Sequence, residues 1–189
     1  MGLFDSIMGR RKPVRPDLDA IFGLPSAAIT LSASLGYAAT GSGAVAFRVP
    51  EGRAFNEVQT EIEALLAASG NPAVELTADQ YGYTWLVVRT DPPDVGALVT
   101  HLHAVNLTLQ DSGFGPQLLC STATFTGPGG RPLAMVYLFK QGSFYPFAPS
   151  AGQARDTVLE LQIRDLLRDE LAVEKDLTRW FPIWGAPGM

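Results

Sequence analysis

The chain has 189 residues, 47% apolar and 17% charged, with one cysteine, two histidines and a formal net charge of −5. An average soluble domain carries roughly 25% charged residues; so low a charge with so high an apolar share excludes a disordered chain, and a lone cysteine excludes an internal disulfide framework or a zinc knuckle. The negative balance excludes a generic nucleic-acid binder.

The charge is unevenly placed. Residues 1–16 hold Arg10, Arg11, Lys12 and Arg15 against Asp5, a net +3, which leaves −8 on residues 17–189. Leu3, Phe4, Ile7 and Met8 recur at helical spacing just before the basic cluster. That stripe has two readings. It packs on the body or frays, or it forms a weak interfacial helix whose basic residues sit near anionic lipid. Each basic residue near such a surface is worth about 1 kcal/mol, so the attachment would be reversible and salt-sensitive. The apolar part precedes the basic cluster, the reverse of a secretory signal. The expected division is a basic amphipathic arm and linker over 1–16 and a single α+β domain over 17–189. The expected location is the cytoplasm, with the arm able to reach the inner face of the membrane.

The stretch 20–47 is uncharged and long enough to cross a bilayer. Gly23, Pro25, Gly36, Gly41 and Gly43 interrupt it, and it reads better as a helix, a turn and a strand. A helix starts over 17–22, Pro25 suits a first helical turn, and 27–35 stays apolar up to Gly36. Gly41-Ser42-Gly43 reads as a turn, and Val45, Phe47 and Val49 alternate as a strand. Phe55, Val58, Ile62, Leu65 and Leu66 make one helix face, with Asn56 and Gln59 as a capping box and Gly70-Asn71-Pro72 as its stop.

Segments 74–77 and 83–89 predict two strands joined by a turn at 79–82. The second is apolar on both faces, with Tyr83, Trp85 and Val87 against Leu86 and Val88, which marks a central strand. Beyond Asp91-Pro92-Pro93-Asp94, a helical core face runs through Val95, Leu98, Val99, Leu102, Val105 and Leu109 to Gly113. Segments 118–126 and 133–140 predict a hairpin around Gly127-Pro128-Gly129-Gly130, and 143–147 adds a short strand. Residues 157–171 form an amphipathic helix burying Leu159, Ile163, Leu166, Leu167 and Leu171. The tail, 172–189, is apolar enough that it should dock on its own body or on a partner. Short connections predict an α+β fold with a mostly antiparallel sheet of about five to six strands and helices on one face. The element order suggests an α-ββ-α-ββ-α rhythm like that of small chaperone-like folds.

Cys120 with His101 or His103 can be read as a thiol nucleophile and base. Its place in an alternating apolar strand favours an ordinary buried cysteine. The two histidines lie two apart on a helix and point to different faces, so no metal site is expected. The glycine clusters lack phosphate-binding spacing, and no cofactor is expected. Asn106-Leu107-Thr108 matches a glycosylation sequon, but mid-helix. The aromatics Phe144, Tyr145, Phe147, Trp180, Phe181 and Trp184 are either core material or partner-contact candidates, since interface cores favour aromatic residues.

Five segments share a family pattern: MGLFDSIMGRRK (1–12), YGYTWLVVR (81–89), GFGPQLLCS (113–121), VYLFKQGSFYPFAP (136–149) and RWFPIWG (179–185). Together they resemble the PspA-associated protein PspAB family over nearly the whole chain. The resemblance implies a non-catalytic accessory or regulatory protein of a phage-shock-type envelope stress response. It implies a PspA-like coiled-coil membrane protein as partner and, in some genomes, an HtpX-type membrane peptidase as neighbour. It supplies no catalytic residues. Two other readings stay open: a chaperone-like module that holds a client segment in an apolar groove, and an enzyme using Cys120.

Overall fold

The computed structural model describes residues 18–49, 55–68 and 74–189. The expected arm helix, its basic cluster and the linker lie outside these residues. So do the helix stop at 70–72 and the side chains of Phe55, Asn56, Val58, Gln59 and Leu66.

A 3-10 turn at Leu18–Gly23 runs directly into helix α1 (Leu24–Leu35), with Pro25 in the first helical turn. This combined run is apolar and long enough to pass for a membrane span by length and composition. Here it is docked instead. Ile21, Leu24, Ala27 and Leu31 are buried in the main core, while Phe22 and Ile29 face outward.

The remaining elements follow as β1 (Ala38–Phe47), α2 (Phe55–Ala68), β2 (Glu75–Ala78), β3 (Thr84–Arg89) and α3 (Val95–Leu109). After these come β4 (Leu118–Thr126), β5 (Pro132–Leu138), β6 (Ser143–Phe147), the short β7 (Pro149–Ser150) and β8 (Ala154–Arg155), and α4 (Thr157–Leu167). Six strands form one sheet in the order β2-β3-β1-β4-β5-β6, and β7 and β8 pair as a separate ribbon. Every pairing between neighbouring strands is antiparallel. The α+β class and the antiparallel sheet match the expectation. The α-ββ-α-ββ-α rhythm is not reproduced. β1 stands alone between α1 and α2, pairs with both β3 and β4, and the last group holds three sheet strands.

Local chemistry explains the main boundaries. Asp94 caps α3, its Oδ1 accepting from the Ala97 N–H at 3.0 Å, which satisfies one of the free donors of a helix start. Asp156 caps α4 in the same way through Leu159 N–H at 3.0 Å. Asp79 organises the β2–β3 turn. Its Oδ1 accepts from the N–H groups of Tyr81 and Tyr83, and its Oδ2 accepts from the Trp85 indole at 2.9 Å. That last bond fixes the Trp85 ring against the sheet.

Gly41-Ser42-Gly43 is not a turn but lies inside β1. Ala39 faces Phe125 and Gly43 faces Ala123, so β1 takes four steps against two on β4 and bulges between them. Gly41 adopts φ +74°, and a Cβ there would lie 2.5 Å from the Thr90 carbonyl oxygen. A Cβ on Gly43 would lie 2.5 Å from Thr122 O and 3.1 Å from a Leu102 methyl. The two glycines thus let the strand bulge and let α3 approach the sheet closely.

The sheet is buried on both faces. One face carries Val45, Phe47, Leu86, Val88, Phe125 and Met135, and it packs against the buried residues of α1, α3 and α4. The predicted α3 core face is buried as expected from Leu98 to Leu109, with Val95 half-buried at the start. Asn106 is buried too and donates to Ser121 Oγ at 2.8 Å, which takes the sequon asparagine out of reach. The opposite face carries Ala44, Ala46, Trp85, Val87, Val136 and Tyr145, and the C-terminal tail covers it.

Candidate functional site

The tail reaches that second face by a chain of specific contacts. Beyond α4, Ala172 and Glu174 pair with the outer edge of β6. The Phe144 N–H donates to Ala172 O, and the Glu174 N–H donates to Phe144 O, each at 2.8 Å. This short parallel bridge covers an edge that would otherwise be open to pairing with another chain. The Trp180 ring then stacks on Tyr145 with centroids 5.9 Å apart, and its indole N–H donates to Glu174 O at 3.0 Å. The Tyr145 hydroxyl donates to Phe181 O at 2.8 Å, and Trp184 meets Phe147 edge-on at 4.9 Å. Ile183 and Ala186 complete the apolar contact.

A buried ion pair anchors the same segment. The Glu160 carboxylate, 2% exposed, accepts from Arg155 Nε at 2.9 Å and from the Ala148 N–H at 2.9 Å. Arg155 lies over the Phe147 ring at 5.2 Å, and its guanidinium donates to the Trp180 carbonyl. Neither Arg155 nor Glu160 stands out in the sequence, where Glu160 reads as an ordinary acid in the first turn of a helix.

Most of the expected partner-contact aromatics are enclosed by the chain itself. Phe144 packs on the helix-covered face against Tyr137, and Tyr145, Phe147 and Trp180 are buried under the tail. Phe181 is 61% exposed and Trp184 half-buried. The expected membrane-contact residues Leu3, Phe4, Ile7, Met8, Arg10, Arg11, Lys12 and Arg15 all fall outside the described residues.

The tail does not cover the whole face. Beside Phe181 and Pro182 it leaves a groove of about 280 Å³ over the ends of β1, β4 and β5. Ala46, Trp85, Cys120 and Leu138 form its floor, and Phe181 and Pro182 wall one side. The small side chains of Ala46 and Cys120 supply the depth. Arg48 and Lys140 stand at the rim. The Arg48 guanidinium lies 5.5 Å over the Tyr83 ring, and Lys140 Nζ donates to Pro116 O at 3.0 Å.

Cys120 is nearly fully enclosed, and burial pushes its thiol from 9.0 up to about 12. At neutral pH it is therefore a protonated thiol, not a thiolate nucleophile. The sheet also separates it from His101 and His103. These lie on α3, which packs on the other face, and His103 sits against Phe22 at 4.9 Å. The structure does not assemble the thiol–imidazole pair. Among the described residues no group of three or more His, Cys, Asp or Glu is arranged to hold a metal ion.

The raised thiol has a consequence for alkaline stability. The unfolded chain releases this proton near pH 9.0 and the folded chain keeps it to about 12. Its contribution is therefore fully present below pH 9.0 and is lost as pH rises towards 12, by up to about tenfold in the folding constant per pH unit. Burial also raises Tyr145 well above its ordinary value, which acts in the same direction. Cys120→Ala is expected to flatten part of the fall in stability between pH 8 and 10.5, measured by urea titration. An unchanged slope would show that the thiol ionises normally in the folded protein.

No curated protein and no solved structure matches the chain. The family model described as PspA associated protein B matches residues 1–188. Since the match runs over all but the last residue, the chain belongs to the PspA associated protein B family.

Proposed function

We propose that this protein is a non-catalytic accessory or regulatory protein of a PspA-like membrane stress response, and that it acts by protein–protein contact. The family description pairs it with PspA. The observation that carries the reading is the groove beside Phe181, an apolar surface that the chain's own tail borders but leaves open. Exposed aromatic side chains next to an apolar cavity are the usual anchors of protein recognition. The protein works in the cytoplasm at the inner face of the membrane, with residues 1–16 adding a weak, salt-sensitive contact to anionic lipid.

The test is a titration with the PspA-like coiled-coil protein of the same host, with and without liposomes. The wild-type chain is expected to bind, and Phe181→Ala to bind about tenfold or more weakly, as loss of a hot-spot aromatic does. Absence of binding under both conditions would overturn the reading. The lipid part is read separately by liposome co-sedimentation. Equal binding with and without residues 1–15 would remove the arm from the account.

A further inference from the structure

We infer that the groove beside Phe181 takes an apolar side chain from an acidic segment of a protein partner, whose flanking carboxylates pair with Arg48 and Lys140. This rests on the reading of the groove as the partner-contact surface and adds the chemistry of what enters it.

Charge points to that occupant. Among the described residues, Arg48 and Lys140 are the charged residues that line the groove, and no carboxylate lines it. In a chain of net charge −5 that is a local reversal of sign. Five other arginines have carboxylate partners: Arg89 with Glu75, Arg155 with Glu160, Arg164 with Asp165, Arg168 with Asp169, and Arg179 with Glu174 and Asp176. Among the described residues Arg48 and Lys140 have none; Arg131 and Lys175 also lack one but do not line the groove. Arg48 rests on an aromatic ring, and Lys140 reaches only a backbone carbonyl. Both are held at the rim with their charge available to an incoming anion.

Size and floor define the rest of the ligand. The floor is apolar, and about 280 Å³ lies just below the range of drug-sized ligand pockets. The space suits one or two large apolar side chains rather than a whole helix. A helix or extended segment would lie across the mouth, insert one such side chain beside Phe181, and place its acids on the two cations. The chain's own residues 1–16 carry +3 and have the wrong sign for this mouth. An anionic bilayer would meet a body that sums to −8 over residues 17–189, whereas a single acidic segment meets only the rim.

The experiment uses the full chain and the host PspA-like protein, titrated at 50 and 300 mM salt. Wild-type affinity is expected to fall with salt, because exposed charges are screened beyond about 8 Å at physiological ionic strength. Arg48→Glu with Lys140→Glu is expected to weaken binding by about tenfold or more at low salt and to reverse the salt dependence, since the rim then repels the acidic segment and salt screens the repulsion. Arg48→Lys with Lys140→Arg keeps both charges and is expected to bind as wild type. If wild type binds but charge reversal changes neither affinity nor salt dependence, this inference is overturned and the broader reading stands. If wild type does not bind at all, both fall. If phosphatidylglycerol vesicles bind the full chain in a way that Arg48→Glu with Lys140→Glu abolishes, and the protein partner does not bind, the occupant is lipid and the inference is overturned.

Discussion

Trp180→Ala is expected to lower the free energy of unfolding by about 3–5 kcal/mol, the range for truncating a large buried aromatic. The residue is 6% exposed and joins three parts of the tail's attachment. Its ring lies on Tyr145, its indole N–H holds Glu174 O, and its buried surface belongs to the apolar layer over the second sheet face. Truncation leaves a cavity between tail and sheet and an unpaired carbonyl at Glu174. The neighbouring Phe181→Ala provides the internal comparison. That side chain faces outward, and its loss should change stability by no more than about 0.5 kcal/mol. Urea titration of the two variants checks the contrast. Native-state alkylation of Cys120 adds a second reading, since a loosened tail exposes the groove floor. A small stability loss with fast alkylation would mean that the tail detaches locally while the sheet and helices stay folded. Equal stability losses for the two variants would contradict the assignment of Trp180 as the tail's anchor.

The helix-covered half of the molecule was legible in the sequence because it is periodic. Leu98, Val99, Leu102, Val105 and Leu109 repeat at helical spacing and are buried together. Leu159, Ile163 and Leu167 do the same on α4. The two-sided apolar pattern of β3 marks a central strand, and β3 lies between β2 and β1 in the sheet. What covers the second face was not legible. The tail has no period to read, and its path depends on contacts far apart in the chain, such as Tyr145 with Phe181 and Arg155 with Trp180. For the same reason the sequence leaves the aromatics of β6 open between core material and partner contact. Alternation places Phe144 on one face and Tyr145 and Phe147 on the other, and each face has its own cover. The glycines at 41 and 43 were misread because a bulge and a turn use the same residue, and only the register of β1 on β4 separates them. The groove exists where the tail stops short of the sheet's end, which no local pattern encodes.

Glu160→Ala is expected to be the other costly substitution, at about 3–5 kcal/mol, because it strands a charge in the interior. Arg155 is only 20% exposed on its side chain and depends on this carboxylate for its compensating charge. The same change leaves the Ala148 N–H without its acceptor, a further loss for a buried donor. Arg155→Ala is expected to cost a comparable amount, since it strands the Glu160 carboxylate, 2% exposed, with the Ala148 N–H as its remaining donor. A buried pair is not in itself strong evidence of stabilisation, because taking two charges out of water offsets much of their attraction. The double variant Arg155→Met with Glu160→Leu is therefore expected to lie closer to wild type than Glu160→Ala does. The pair then serves chiefly to fix where the tail lies, through the Arg155 bond to the Trp180 carbonyl. That role has its own signature. In the double variant, global stability recovers while Cys120 alkylation stays faster than in wild type, because the tail has lost the contact that holds it beside the groove. Recovery of both measurements together would assign the pair to stability alone, with no part in positioning the tail.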